Sequence, residues 1–230
     1  MSAPGALPTV TSDQMREVDR ILVEEVGLQL VQMMENAGRH LADVAVERFG
    51  PRRCTVLAGS GGNGGGGMVA ARHLHNRGIE VTVVPTRTTA GGVTGGQLEL
   101  LRRFGLDVVV DPVPADLVVD AVLGYGVRGN PKGRAGQLVA WAAAAPGPVL
   151  SLDLPSGLDA TTGVVGDPCV HADVTLALGL PKAGLLAAPV TVRGHVLTAD
   201  IGIPDRVYER VGVAVDHPFR SGSVVTNVLE

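Results

Sequence analysis

The chain has 230 residues and a formal net charge of −4, and only 3% of its residues are aromatic. This length suits one large α/β domain with an aliphatic core. The negative charge and the lack of any dense lysine or arginine cluster argue against a nucleic-acid surface, so we expect small molecules or proteins as partners.

The sequence shows no sign of a membrane segment or of a disulfide. No apolar run approaches the ~18 residues of a membrane-spanning helix, and the N-terminus lacks a basic leader. The two cysteines, Cys54 and Cys169, follow no metal or redox spacing, so we interpret both as packing residues. We therefore predict a soluble, cytoplasmic protein that does not bind membranes.

Two helices are predicted ahead of the first strand. Residues 1–10 are expected to form a disordered lead-in to a single domain over residues 11–230. Thr11 and Gln14 fit a capping box, which opens a helix with apolar residues at helical spacing. A second helix is expected over Leu30–Phe49, interrupted at Asn36-Ala37-Gly38. These two helices could pack on the sheet or on a second subunit.

From Cys54 onward, apolar strands alternate with helical runs. The predicted strands are residues 54–58, 79–84, 107–110, 117–121, 149–152, 174–178 and 195–199, and the predicted helices are residues 67–77, 95–104 and 137–145. This alternation is typical of a parallel sheet buried on both faces. Ligands of such sheets bind beyond the carboxyl ends of the strands, where loops 59–67, 122–136 and 153–163 would lie. Residues 86–96 are expected to be a mobile loop.

A glycine run follows the first predicted strand, with seven glycines among residues 59–67. A strand, a glycine loop and a helix N-terminus together suit a phosphate or another anion. Gly59, Gly61 and Gly64 match the dinucleotide fingerprint, but the acidic residue expected after the second strand is missing. Arg87 stands near that point and could contact a 2′-phosphate, which leaves an NADP-dependent oxidoreductase open. If the glycines served only tight packing between strand and helix, fewer than seven would be needed.

Polar side chains follow three further strands. Asp120 ends a strand and could bind a cation or a sugar hydroxyl, or cap the following turn. Asp153 and Ser156 lie on a stiff loop containing proline and glycine, and with Asn63 they offer the hard oxygen atoms that suit K⁺, Na⁺ or Mg²⁺. Lys182 could pair with a substrate phosphate or with Asp153, act as an acid, or be solvated.

Taken together, these motifs resemble the YjeF N-terminal domain family, the NAD(P)H-hydrate epimerases. The similarity runs from about Met15 to Pro204 and depends on several motifs in order. They are Met15 to Asp19, Met34 to Gly38, Asn63 to Gly67 with Val69 to Leu74, Asp120 to Gly129, Asp153 to Asp159, Pro181 to Gly184 and Asp200 to Pro204.

The resemblance implies a Rossmann-like three-layer α/β/α sandwich with a mostly parallel central sheet and two extra N-terminal helices. It implies an isomerase, often a homodimer, that interconverts the R and S epimers of hydrated NADH and NADPH (NADHX and NADPHX) so that a separate dehydratase can repair them. By the same resemblance, K⁺ would bind Asn63, Asp120 and Ser156. Asp153 would act as general acid or base with Lys182 assisting. The implied substrate-binding residues are Gly62, Asn63, Gly64, Gly65, Gly66, Gly124, Tyr125, Gly126, Val127, Arg128, Gly129, Asn130 and Asp153.

One departure from the family pattern keeps other functions open. The family's loop usually reads Asn-Asn-Gly-Gly-Asp-Gly, whereas this chain has glycine at positions 62 and 66. Loss of a fixed carboxylate beside the site could remove much of the catalysis, since one such group is commonly worth about 10²–10⁴ in rate. The alternatives are another isomerisation, cyclisation or dehydration of a small metabolite, and a non-catalytic nucleotide-binding or protein-interaction module.

Overall fold

A computed structural model describes residues 7–89 and 91–226 of the protein. The helices are α1 (Ser12–Arg20), α2 (Leu30–Phe49), α3 (Gly62–His75), α4 (Gly92–Arg103), α5 (Gly133–Ala143), α6 (Ala183–Ala187), α7 (Val190–Arg193) and α8 (Asp205–Arg210), and a π-helical segment (Ile21–Val26) continues α1. The strands are β1 (Arg53–Ala58), β2 (Glu80–Pro85), β3 (Asp107–Val108), β4 (Leu117–Ala121), β5 (Val149–Leu152), β6 (Val174–Leu178), β7 (His195–Ala199) and β8 (Val224–Thr226).

Within the described residues, the strands form one sheet in the order β3-β2-β1-β4-β5-β6-β7-β8. Neighbouring strands are parallel from β3 to β7, and β8 runs antiparallel to β7. The order reverses between β1 and β4, because the chain builds outward to β3 and then returns past β1. The expected mostly parallel sheet is confirmed, and the antiparallel edge strand is an addition to it.

The sheet separates two layers of helices. Alternate residues of β1 pack on opposite faces: Val56 belongs to the cluster that contains Met68 of α3 and Leu98 of α4, whereas Leu57 packs with Leu138 of α5. This alternation buries both faces of the sheet, as parallel sheets require. The three-layer α/β/α arrangement is therefore confirmed.

The two N-terminal helices form as the sequence predicts, with one correction. Thr11 and Gln14 make the reciprocal bonds of the capping box, and Gly27 ends the π-helical segment in a left-handed conformation. The expected interruption of the second helix is wrong, because α2 runs unbroken through Gly38. A Cβ atom at Gly38 would lie 2.5 Å from the Gly66 carbonyl oxygen, so this glycine lets α2 and α3 approach closely. The α1 helix packs on α8 of its own chain.

The glycine run is mostly helix, which corrects the expected loop over residues 59–67. Helix α3 begins at Gly62, and Gly64, Gly65, Gly66 and Gly67 are buried within it. A Cβ atom at Gly67 would lie 2.5 Å from the Ala121 Cβ atom on β4. These glycines therefore bring α3 close to the sheet and to α2, so tight packing explains more of the run than the sequence suggested.

Two peripheral predictions change. Val10 is fully buried, and its backbone bonds to Pro181 and Ala183, so it belongs to the fold and not to a disordered lead-in. Residues 1–6 of that predicted lead-in lie outside the described residues. Helix α4 starts at Gly92, so a helix replaces the second half of the loop expected at 86–96. No helix in residues 7–89 or 91–226 combines the length and apolarity needed to cross a bilayer.

Candidate active site at the carboxyl ends of the strands

A cavity of about 570 Å³ opens where the strand order reverses between β1 and β4. The turn after β1 (residues 59–63) and the turn after β4 (residues 122–127) form its polar walls. Methionine side chains from α1 and α2, including Met15 and Met34, add apolar surface to the cavity. Open parallel sheets bind their ligands at this position, so the fold places a ligand site here.

Asp153 lies on the cavity wall, directly after β5. Its backbone has φ of +69°, a left-handed conformation that is uncommon for a residue with a side chain. Asp153 as a whole residue is 3% exposed, and its carboxylate accepts bonds from the backbone N–H groups of Tyr125 (3.3 Å) and Leu178 (3.4 Å). Backbone strain of this kind is typical of functional positions, so Asp153 is a strong candidate for the chemistry.

Lys182 pairs with Asp153 inside the protein. Its side chain is 1% exposed, and its ammonium group donates to Asp153 Oδ1 and to the carbonyl oxygens of Leu178 (2.9 Å) and Leu180 (3.3 Å). A lysine ammonium has three N–H donors, so all of them have partners here. Lys182 is therefore a fixed positive charge beside Asp153, which excludes the solvated lysine considered from sequence.

Asp120 is fully buried on β4 and is held by several donors. Its carboxylate accepts bonds from Ser156 Oγ (2.6 Å), Ser151 Oγ (2.9 Å), the Ser156 backbone N–H (2.8 Å) and the Val122 backbone N–H (3.2 Å). Burial raises the pKa of Asp120 above its usual range, and the bonds from Ser156 oppose that rise. Ser156 thereby links β4 to the turn after β5.

Asn63 joins this group from the start of α3. Its amide nitrogen donates to the Leu123 carbonyl oxygen (3.1 Å), and the Leu123 N–H donates to Ser156 Oγ (2.8 Å). The Asn63 Oδ1 atom is buried without a hydrogen-bond partner among the described residues. An orphaned buried oxygen, linked through Leu123 to a serine hydroxyl that bonds a carboxylate, could hold a hard cation. In the described part of the chain, no three His, Cys, Asp or Glu residues cluster as ligands for another metal.

Comparison with known sequences identifies the family. The sequence model described as YjeF-related protein N-terminus matches residues 30–184. The chain belongs to this YjeF-related family. A relative from Dehalogenimonas lykanthroporepellens, named NAD(P)H-hydrate epimerase, is 43% identical over 96% of this chain and 93% of its own. Another of the same name, from Rhodopirellula baltica, is 34% identical over 86% of both chains.

Longer relatives and one solved structure complete the comparison. A "Bifunctional NAD(P)H-hydrate repair enzyme Nnr" from Hyperthermus butylicus is 39% identical over 82% of this chain, which spans 37% of that longer protein. The crystal structure of the yeast protein YNL200c (ynu0) superposes with a TM-score of 0.84 at 23% identity, covering 96% of this chain and 100% of the yeast chain. The yeast structure supports the three-layer α/β/α fold.

The structure brings together many of the binding residues implied by the YjeF resemblance. The cavity is lined by Gly62, Asn63, Gly124, Tyr125, Gly126, Val127 and Asp153. The implied cation ligands are linked by hydrogen bonds: Asn63 and Ser156 both bond to Leu123, and Ser156 bonds to Asp120. A smaller cavity of about 260 Å³ beside Gly124 takes in Gly129 and Asn130.

Four of the implied substrate-binding residues lie elsewhere. Gly64, Gly65 and Gly66 are buried inside α3 and line neither cavity. A Cβ atom on each would meet α2, β5 or the turn after β1, so these glycines serve close packing, and contact of their backbone with substrate stays a prediction. The Arg128 guanidinium pairs with Asp13 on the exposed surface at 2.9 Å and lines neither cavity. The reason in each case is local: helix α3 starts earlier than expected, and α1 offers Arg128 a carboxylate.

Asp19 is a cavity residue that sequence reasoning missed. It lies on α1, lines the cavity and accepts a hydrogen bond from the Tyr125 hydroxyl. Burial raises the pKa of Asp19, and the bond from Tyr125 opposes the rise. A signal was present, because Asp19 is four residues after Met15 and three before Leu22, on the apolar face of the helix.

Proposed function

We propose that this chain is an NAD(P)H-hydrate epimerase, an isomerase that interconverts the R and S forms of NADHX and NADPHX in nicotinamide nucleotide repair. The observation that carries the proposal is the buried Asp153–Lys182 pair at the wall of the cavity between β1 and β4. The relatives named epimerase, which cover nearly the whole chain, support it. They favour it over the oxidoreductase, the redirected enzyme and the non-catalytic module.

The geometry suits a reaction that moves one proton away and back. Hydration of the dihydronicotinamide ring places a hydroxyl group on a ring carbon beside the nitrogen. Inverting that carbon requires one of its bonds to open and to re-form from the opposite face, with one proton taken and returned. A single carboxylate can do both. Lys182 holds Asp153 for this role, because its ammonium group donates to Asp153 Oδ1 and its other N–H groups bond to backbone carbonyl oxygens.

The rest of the cavity matches a dinucleotide. Helix α3 begins at Gly62 on the cavity wall, so the unpaired N–H groups of its first turn face the space where a phosphate would bind. The methionine side chains that line the cavity are flexible and apolar, which suits contact with a planar ring. The substrate would then lie across the two turns with its modified ring toward Asp153.

We further propose that Asn63, Asp120 and Ser156 hold K⁺. The support is the donor set, which consists of hard oxygen atoms, and the orphaned Asn63 Oδ1 atom. When bound, K⁺ would supply positive charge beside the phosphate-binding turn and fix the two turns relative to each other. Asp120, through its bonds to Ser151 and Ser156, anchors this group to β5.

The proposal also covers the location of the protein, its oligomeric state and its partner enzyme. We propose a cytoplasmic homodimer that acts with a separate NAD(P)HX dehydratase. The support is the bifunctional repair enzymes among the relatives. An apolar surface of Val23, Val26, Leu30 and Val31 is also exposed beside the start of α2 and could meet a second copy. Light scattering coupled to gel filtration would measure the mass in solution, and a monomer at micromolar concentration would contradict the dimer.

A chromatographic assay of the R/S ratio of NADHX tests the activity. We expect wild-type protein to bring an unequal mixture to equilibrium, and Asp153→Asn to slow this by about 10²–10⁴-fold because it removes the proton acceptor. Asp43→Asn, which changes an exposed carboxylate paired with Arg77, is the matched control and should keep wild-type activity. A wild-type protein that leaves the ratio unchanged, with K⁺ present or absent, would overturn the proposed function.

A further inference from the structure

Two parts of the chain that are far apart in sequence meet across the cavity. Asp19 of α1 and Tyr125 of the turn after β4 both line it, and the Tyr125 hydroxyl donates to Asp19 Oδ2. Both residues are partly buried. The bond therefore joins the N-terminal helix to the turn that covers the proposed catalytic carboxylate.

Tyr125 also touches both members of the Asp153–Lys182 pair. Its backbone N–H donates to Asp153 Oδ2 at 3.3 Å, and its ring centroid lies 5.7 Å from Lys182 Nζ, within the range of a cation–π interaction. The position of this one residue thus decides both a hydrogen bond to Asp153 and the surroundings of Lys182. Asp19 restrains the far end of the same ring.

The placement of Asp19 costs stability, which the hydrogen bond from Tyr125 and the more distant charge of Lys182 only partly offset. A carboxylate on the apolar face of a helix loses part of its hydration, which raises the pKa of Asp19. In the described residues, no lysine, arginine or histidine forms an ion pair with it, and its partner is the neutral phenol of Tyr125. Burial and the nearby Asp19 charge raise the pKa of Tyr125, so the phenol keeps the proton that it donates. Costly polar placements of this kind gather at functional sites.

We propose that Asp19 is a positioning residue for the epimerase reaction, which holds the Tyr125 ring against Lys182 and so fixes the turn over Asp153. This inference rests on the proposed function. Asp19 acts through Tyr125 and does not itself exchange a proton with substrate. Its loss should lower kcat more than it raises KM, because the turn after β1 and the methionine side chains of the cavity stay in place.

Four variants test the assignment in the R/S assay. A misplaced catalytic group can cost up to about 100-fold, and we expect Asp19→Ala and Tyr125→Phe each to lower kcat by about 10- to 100-fold. Asp19→Ala/Tyr125→Phe should lose no more than either single change, because both remove the same bond. Asp19→Asn, which keeps an oxygen acceptor, should recover much of kcat. Glu17→Gln, an exposed carboxylate on the same helix, is the control.

A second measurement does not depend on activity. The chain has two tyrosines, Tyr125 and Tyr208, so protein labelled with ¹³C at the tyrosine ring carbon that carries the hydroxyl gives two signals, which Tyr125→Phe assigns. Asp19→Ala should shift the Tyr125 signal more than that of Tyr208, because the Asp19 charge acts on both rings but only Tyr125 bonds to it.

The two measurements separate the possible failures. Wild-type kcat in Asp19→Ala, additive losses in the double variant or an unmoved Tyr125 signal would each overturn the positioning role. An inactive wild type whose Tyr125 signal still depends on Asp19 would instead overturn the proposed function.

Discussion

Gly64 is the point at which the glycine run tolerates a side chain least. A Cβ atom there would lie 1.8 Å from the carbonyl oxygen of Gly59 and 2.4 Å from its carbonyl carbon. Gly59 cannot move away easily, because its N–H bonds to the Ala121 carbonyl oxygen (3.0 Å) at the end of β4. Replacing Gly64 by alanine must therefore push α3 away from the end of β1.

The expected loss of stability in Gly64→Ala is the difference between two opposing contributions to the free energy of unfolding. Overpacking of a tightly packed site costs about 1–3 kcal/mol, and the upper end applies here because the obstacle is backbone. Alanine returns about 1 kcal/mol through its higher helix propensity. The net loss is then about 2 kcal/mol, and at about 2–4 °C per kcal/mol for a chain of this size, Tm should fall by about 4–8 °C.

Thermal unfolding followed by circular dichroism measures this change, and Gly62→Ala is the matched control. A Cβ atom at Gly62 would come no nearer than 4.0 Å to the side chains of Leu30 and Met34, so its Tm should stay at or slightly above the wild-type value. If Gly64→Ala melts at the wild-type temperature, the close approach of Gly59 and Gly64 is not a real constraint. An equal fall in Tm in the two variants would show that the glycine run is needed for backbone flexibility and not for close contact.

Three further outcomes are expected. Ser156→Ala removes a hydroxyl donor from the buried Asp120 carboxylate, so urea unfolding should show that the free energy of unfolding falls by about 1–3 kcal/mol. In the same variant K⁺ should no longer stimulate the R/S assay, and an unchanged K⁺ response would count against the cation site. Burial raises the pKa of both Cys54 and Cys169 to about 12, so a thiol reagent at neutral pH should label them only after unfolding. Val10→Asp places a charge in a fully buried position beside the Lys182 backbone, so it should lower both Tm and kcat. A Val10→Asp variant with wild-type kcat would show that the packing of Val10 does not affect the site.

The sheet was largely readable from the sequence, and the glycine helix was not. Strands β4 to β7 have the bounds that their apolar runs predict, because strands buried on both faces must be continuously apolar. The N-terminal half of α3 carries no such signal. Glycine has poor helix propensity and no side chain to give a periodic pattern, so only the neighbouring surfaces of α2 and β4, which require close approach, make it helical.

The site was predicted in its parts but not in its connections. Asp120, Asp153, Ser156 and Lys182 each stand just past or within an apolar strand, and the carboxyl ends of parallel strands meet at one edge. Whether Lys182 would pair with Asp153 depends on side-chain burial, which a strand pattern does not encode. Asp19 was missed for a similar reason, because a single acidic residue on an amphipathic helix is usually solvated.

The two glycines at which this chain departs from the usual family loop are not equivalent. Gly66 is buried behind the cavity, and a Cβ atom there would lie 2.9 Å from Leu152 Cδ2, so a carboxylate at this position could enter only if Leu152 moved. Gly62 lies on the cavity wall with open space around it. Its lack of a side chain enlarges the site between α2 and the glycine turn, while Asp153, Lys182 and the oxygen donors stay in place. The departure therefore bears on which substrate fits beside α2 more than on the proton transfer at Asp153.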